Sequence, residues 1–110
     1  MFALSNRTAV VTGASGGIGS AIARGLHQQG ATLGLVGRNK AALDALATEL
    51  GKNTHVITAD LSDPGSVDVI LAKSIEAMGR IDILVNNAGV TRDNLSVRIK
   101  DEDWRQVIDV

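Results

Sequence analysis

The stretch "VVTGASGGIGSAI", Val10 to Ile22, decides the fold. Thr8 to Thr12, "TAVVT", is a short run rich in β-branched residues, the composition of a strand. Four glycines then fall within seven positions, at 13, 16, 17 and 19. Beyond them Ile18, Ala21, Ile22, Gly25 and Leu26 recur at helical spacing. A strand that feeds a helix through a glycine-rich turn leaves backbone N–H groups pointing outward at the helix's positive end, and that arrangement binds phosphate. Glycine permits positive φ in the turn, close approach of the phosphate, and tight packing of helix on sheet. The spacing is Gly13-x-x-x-Gly17-x-Gly19. It is neither the common dinucleotide pattern, with its first two glycines one residue apart, nor a triphosphate loop, since no Lys-Ser/Thr follows. A purely structural tight turn uses the same letters. A strand before it and a helix after it argue for the phosphate site.

Outward from this turn, strands and helices alternate. Gly30 is placed to cap the first helix in the left-handed conformation. Thr32 to Gly37, "TLGLVG", reads as a second strand. Asn39 is an N-cap for a helix reaching about Leu50, with Leu43, Leu46 and Leu50 on one face. "THVITA", Thr54 to Ala59, reads as a third strand. Pro64 suits the first turn of a third helix, capped by Ser62 or Asp63, with Val67, Ile70, Leu71, Ser74, Ile75 and Met78 as its stripe. "IDILV", Ile81 to Val85, reads as a fourth strand, followed by "NNAG". A polar segment from Val90 to Lys100 leads to "DEDWRQVIDV". The acidic residues Asp101 to Asp103 suit a helix start, and Trp104, Val107 and Ile108 recur at helical spacing, so Trp104 is expected to pack in a core or an interface.

Alternation of this kind predicts parallel βαβ units: an α/β, Rossmann-like, doubly wound parallel sheet, partial, with strand order 3-2-1-4. The glycine turn sits at the switch point between strands 1 and 4. The chain is expected to form a single domain, residues 1–110, that breaks off after the start of the helix following strand 4. Strand 4 would then expose an apolar edge, which predicts self-association through it or a rearranged terminal helix that covers it.

Bulk composition excludes several function classes. The net charge of −1 lacks the basic stripe that nucleic-acid binding needs. The absence of cysteine excludes disulfides and thiolate metal sites, and two distant histidines do not make a metal site. His27 is expected to be exposed and His55 to pack within its strand. No apolar run is long enough to span a membrane, and the start "MFALSNRTAV" has no signal-peptide pattern, so the cytosol is expected.

"TGASGGIG", the pair Asp60-Leu61 after strand 3, and Asn86-Asn87-Ala88-Gly89 after strand 4 fall in the order of the short-chain dehydrogenase/reductase family, and the chain resembles that family over essentially its whole length. "DILVNNAGVTRDNLSVRIKDEDW" is similar, more narrowly, to the bacterial 3-oxoacyl-[acyl-carrier-protein] reductases. The resemblance implies that Gly13, Ser15, Gly16, Gly17 and Gly19 surround the cofactor pyrophosphate and adenosine ribose. It places Ile18 beneath the cofactor as well as in the core. It implies that Asp60 accepts a hydrogen bond from the adenine amino group, that Leu61 stacks on the ring, and that Asn87, Ala88 and Gly89 line the ribose and nicotinamide path. Asn86 is expected to tie strand 4 to its neighbours.

The end of strand 2 bears on which dinucleotide binds. A carboxylate there would hold the 2′-hydroxyl of NAD and repel a 2′-phosphate. This chain has Gly37 and then Arg38, with Lys40 close by. An arginine fork suits a phosphate, so NADP(H) is the expected cofactor. Many family members that use NADPH carry a basic residue where this chain has Gly16, so recognition leans on Arg38, with Ser15 and Asn39. An ordinary solvated arginine at a strand end is the competing reading.

Ketone reduction by hydride also needs a proton donor for the developing alkoxide. In the resembled family that donor is a Tyr, aided by a Lys, a Ser and an Asn, and all four lie beyond Val110. The chain contains no tyrosine at all. The expectation is a cofactor-binding piece of an NADPH-dependent reductase acting on an acyl-carrier-protein thioester, inactive by itself. A stand-alone or engineered half-domain with weak nucleotide affinity, and a short-chain reductase for a sugar or steroid, are the alternatives.

Overall fold

The computed structural model describes residues 4–60, 65–86, 96–100 and 104–109. The elements run β1 (Thr8–Thr12), α1 (Gly17–Gln28), β2 (Thr32–Gly37), α2 (Lys40–Leu50), β3 (Thr54–Thr58), α3 (Ser66–Met78), β4 (Ile83–Asn86), β5 (Ser96–Lys100) and β6 (Trp104–Asp109). Among the described residues they build one sheet in the order β3-β2-β1-β4-β5-β6. β1 pairs in parallel with β2 and with β4, and β2 in parallel with β3. This four-strand parallel core in the order 3-2-1-4, with its helices, is the Rossmann-like α/β arrangement that the alternating pattern predicts.

The strands are nearly continuous apolar runs because both faces of the sheet are covered. Ala9, Val11, Leu33, Leu35, Ile83 and Val85 face one side, where they meet Ala23 of α1 and Leu43 and Leu46 of α2. Val10, Val36 and Ile57 face the other, where Ile70 of α3 meets them. Gly34 lies in the middle of β2, and a Cβ there would come within 2.8 Å of Met78 Cε, so its missing side chain makes room for α3.

The helix ends follow local chemistry. Asn39 caps α2, its side chain accepting a hydrogen bond of 3.1 Å from the Ala42 N–H. α1 stops as expected at Gly30, where φ is 96°. The Gly30 N–H donates to the His27 carbonyl and the Ala31 N–H to the Leu26 carbonyl, the paired bonds of a Schellman motif. Gly79 closes α3 at φ 86°. Ser62, Asp63 and Pro64 lie outside the described residues.

The structure corrects five expectations. Residues 104–109 form a strand, not the start of a helix. β5 pairs antiparallel with β4, and β6 antiparallel with β5. The sheet therefore does not stop at strand 4, and the β4 edge expected to drive self-association is occupied. The physical reason lies in that edge: a row of unpaired N–H and C=O groups on an apolar strand is a template for the next extended segment, and it prevails over the weak helical preference of a short segment. The α1 stripe is rotated from the one expected. Gly19 and Ala23 are buried and Ile22 and Leu26 are half-buried, whereas Ile18 is 66% exposed and does not reach the core. Ile75 likewise leaves the α3 stripe and is 51% exposed. His27, expected to be exposed, is half-buried, with Nε2 2.9 Å from the Lys52 carbonyl oxygen.

Candidate functional site

The site is assembled at the C-terminal ends of β1, β2 and β3. β1 ends at Thr12, and Gly13 turns the chain at φ 65°, in the left-handed region that favours glycine. The Ala14 N–H donates to the Val36 carbonyl at 3.1 Å and the Ala14 side chain is fully buried, which fastens the turn to β2. The Gly16 N–H donates back to the Gly13 carbonyl at 3.1 Å. Gly16 is then the N-cap of α1.

Two of these glycines have opposite surroundings. A Cβ on Gly19 would lie 2.1 Å from the Gly13 carbonyl oxygen and 2.8 Å from its carbon. The helix therefore meets the turn at a separation that only glycine permits. A Cβ on Gly17 would have nothing within 4 Å. The protein leaves open space in front of the first turn of α1. The first helical hydrogen bond there runs from the Ser20 N–H to the Gly16 carbonyl at 2.8 Å. The N–H groups of Gly17, Ile18 and Gly19 precede it, as the geometry of a helix start requires. No side chain caps this end and no acidic residue stands in its first turn. Among the described residues nothing compensates the positive end of α1, and such an end suits an anion.

The end of β2 adjoins the turn. Gly37 is buried, and a Cβ on it would lie 3.6 Å from Ser15 Oγ, so that hydroxyl reaches the strand end where Arg38 begins. Arg38 is exposed and, among the described residues, makes no hydrogen bond or ion pair. Its neighbours are otherwise engaged. Lys40 Nζ lies 2.7 Å from Asp44, and the Asn39 side-chain oxygen serves the α2 cap. The Ala59 N–H donates to the Gly37 carbonyl at 2.9 Å, and this brings exposed Asp60 to the same rim. Leu61, Asn87, Ala88 and Gly89 lie outside the described residues.

Asn86 ends β4, and its side-chain oxygen is 3.3 Å from Thr12 Oγ1, which also lies 3.3 Å from the Val85 carbonyl. Thr12 is the residue the sequence reading passed over. Its signal is a buried hydroxyl closing an otherwise apolar strand. No group of three or more His, Cys, Asp or Glu able to hold a metal occurs among the described residues. Nor, among them, is any helix long and apolar enough to cross a membrane.

A parallel sheet in the order 3-2-1-4, whose first strand passes through a glycine turn into an open helix start beside an exposed arginine at the end of the second strand, defines a Rossmann-like α/β fold. The family profile described as short chain dehydrogenase matches residues 7–110, and the chain belongs to that family. It is 50% identical over 110 residues to Nodulation protein G of Rhizobium sp. (strain N33), covering 100% of this chain and 45% of that protein. It is 43% identical over 103 residues to the 3-oxoacyl-[acyl-carrier-protein] reductase FabG of Escherichia coli (strain K12), covering 94% of this chain and 42% of that one. The crystal structure of the 3-ketoacyl-(acyl-carrier-protein) reductase from Brucella melitensis, complexed with NADH, superposes with a TM-score of 0.74 at 34% identity, over 83% of this chain and 37% of that one. The chain thus spans less than half the length of these relatives.

Proposed function

We propose that this chain is the NADP(H)-binding part of a 3-oxoacyl-[acyl-carrier-protein] reductase of the cytosol, and that these 110 residues bind the dinucleotide without turning over substrate. The observation that carries the reading is the pairing of the open turn at Gly17 with exposed, unengaged Arg38 at the end of β2. The donor set fits the group. The N–H groups of residues 17 to 19 would hold the diphosphate. Ser15 and Arg38 would hold the 2′-phosphate, the arginine through its planar fork. Exposed Ile18 would lie against the cofactor's apolar underside, Asp60 would accept from the adenine amino group, and Leu61, Asn87, Ala88 and Gly89 would continue the groove toward the nicotinamide. When bound, the reduced dinucleotide supplies hydride. The proton that must meet the developing alkoxide needs a positioned acid, and no tyrosine is present to provide one in the family's manner. Similarity to the reductases of fatty-acid synthesis points to an acyl-carrier-protein thioester as the substrate of the longer protein.

Calorimetric titration with NADPH, NADP and NADH tests the cofactor reading. Arg38→Ala is expected to lower NADPH affinity at least tenfold, the worth of one charge-assisted hydrogen bond of about 1.5–3 kcal/mol, and to leave NADH unchanged. Equal loss for both dinucleotides, or none for NADPH, overturns it. A second reading, preference for NADH, draws on the NADH found in the Brucella melitensis reductase; tighter NADH binding by the unaltered chain would establish it. Hydride transfer to an acetoacetyl thioester by this chain would overturn the expected inactivity.

A further inference from the structure

α3 turns two side chains toward the sheet whose chemistries fit one another. Ser74 is fully buried, and among the described residues its Oγ has no hydrogen-bond partner. Met78, four residues on, is half-buried and packs against the cluster that holds Val10, Val36, Ile57 and Ile70. Residues four apart on a helix are neighbours on one face, with about 5–6 Å between their Cβ atoms. Long side chains lean back over the turn that precedes them. For Met78 that turn is the one carrying Ser74.

Gly34 makes the seat. Met78 Cε lies 2.8 Å from where a Cβ on Gly34 would stand, and Val10 Cγ2 and Ile57 Cδ1 lie 3.5 Å from the same point. The methyl end of the thioether is thus fixed over the middle of β2 among apolar groups. The other end is at the rim: Met78 is the last residue of α3, and Gly79 beside it is exposed. A half-buried thioether at a helix end is within reach of a small oxidant.

A hydroxyl buried without an acceptor destabilises the fold around it, and an acceptor placed beside it removes that cost. Oxidation supplies one, because a sulfoxide is polar where a thioether is apolar. We propose that Met78 is a site of oxidation by hydrogen peroxide, and that its sulfoxide oxygen takes the hydrogen bond that Ser74 Oγ–H has to give. The sulfur attacks one peroxide oxygen, an S–O bond forms and the O–O bond breaks. Sulfur gives up two electrons. The proton on the transferred oxygen passes to the departing hydroxide, which leaves as water. Ser74 lies to one side of the sulfur, so one of the two sulfoxide epimers is favoured. The serine makes the oxidised side chain tolerable in a cluster that is otherwise apolar, and α3 stays on the sheet.

The chain has no cysteine, and its one other methionine is Met1, so peroxide has a single internal sulfur to attack. Peptide mapping of the folded chain after peroxide treatment is expected to show one added oxygen on Met78. Urea unfolding is then compared for the reduced and oxidised chains, each with and without Ser74→Ala. In the reduced chain the substitution is expected to raise the midpoint. In the oxidised chain it is expected to lower it, since the sulfoxide oxygen loses its donor; an oxidised variant that no longer folds is the extreme of that loss. The two epimers are told apart by the two methionine sulfoxide reductases, each of which reduces only one of them. One epimer is expected to predominate in the unaltered chain, and the two to approach equality in Ser74→Ala. Met78→Leu, of similar volume, is expected to keep its midpoint through the same treatment. A folded chain oxidised at Met1 but not at Met78 would overturn the proposal. So would an effect of Ser74→Ala with the same sign in both forms, or an epimer ratio that the substitution leaves unchanged.

Discussion

β1 and β4 run side by side, and their two ends are built on opposite terms. Where they begin, the Asp82 carboxylate is 3% exposed and accepts the Thr8 N–H at 2.9 Å, while the Asp82 N–H donates to the Thr8 carbonyl at 2.8 Å. Arg80 donates to the other carboxylate oxygen through Nη2 at 2.6 Å and Nε at 3.2 Å. Every strong polar group there is answered by another. Where the strands end, the α1 start has, among the described residues, no side-chain cap, no acidic residue in its first turn and open space before Gly17. The closed end pairs its charges and backbone groups across the two strands, and the open end, under the function proposed above, would keep its donors for a ligand.

Glycine substitutions at the open end break this comparison most severely. Gly19→Ala forces a Cβ to 2.1 Å from the Gly13 carbonyl oxygen. A loss of about 3 kcal/mol is expected, read as an earlier urea midpoint. Gly17→Ala, two residues away, is expected to keep the midpoint or raise it slightly and to weaken dinucleotide binding at least tenfold. Equal stability losses at the two positions would show that both glycines serve packing only.

The closed end comes next. Asp82→Ala leaves the buried Thr8 N–H without its acceptor, and a loss of about 2 kcal/mol with unchanged dinucleotide affinity is expected. Burial pushes against the Asp82 charge, but Arg80, the Thr8 N–H and Arg7 outweigh it and hold the carboxyl below its ordinary value. A depressed carboxyl contributes its stability above the ordinary carboxylate range and loses it as pH falls through the folded-state value. Acid unfolding followed by circular dichroism should therefore be shallower in Asp82→Asn than in the unaltered chain below about pH 4. The smallest effect is expected from Ser74→Ala. Ser74 Oγ is buried and, among the described residues, has no hydrogen-bond partner, a polar atom serving neither end. Its removal should raise stability by ~1 kcal/mol.

The closed end also marks what the sequence hid. The Gly13–Gly19 turn, β1 at Thr8–Thr12, the Asn39 cap and the left-handed Gly30 were legible, because each depends on residues within a few positions of one another. Asp82 was not: its partner Thr8 is 74 residues away, and a lone acid beside an apolar run gives no sign of that distance. Ile18 and Gly19 exchanged roles for a similar reason. A glycine adds nothing to an apolar stripe on paper, yet Gly19 is the buried position and Ile18 the exposed one. Residues 104–109 were misread because an edge three-dimensionally present at β4 has no trace in their own letters. At the candidate site, Arg38 was legible as a charge, but the engagement of Lys40 by Asp44 and of Asn39 by the helix it caps needed the fold.

The tether from the Ala14 N–H to the Val36 carbonyl has a kinetic consequence. The Gly13–Gly16 turn is shaped by contacts internal to the protein, so under the proposed function no ordering of that turn would have to accompany an arriving anion. Stopped-flow traces should then be single exponentials whose rate climbs linearly with ligand concentration, without the plateau that a slow closing step imposes.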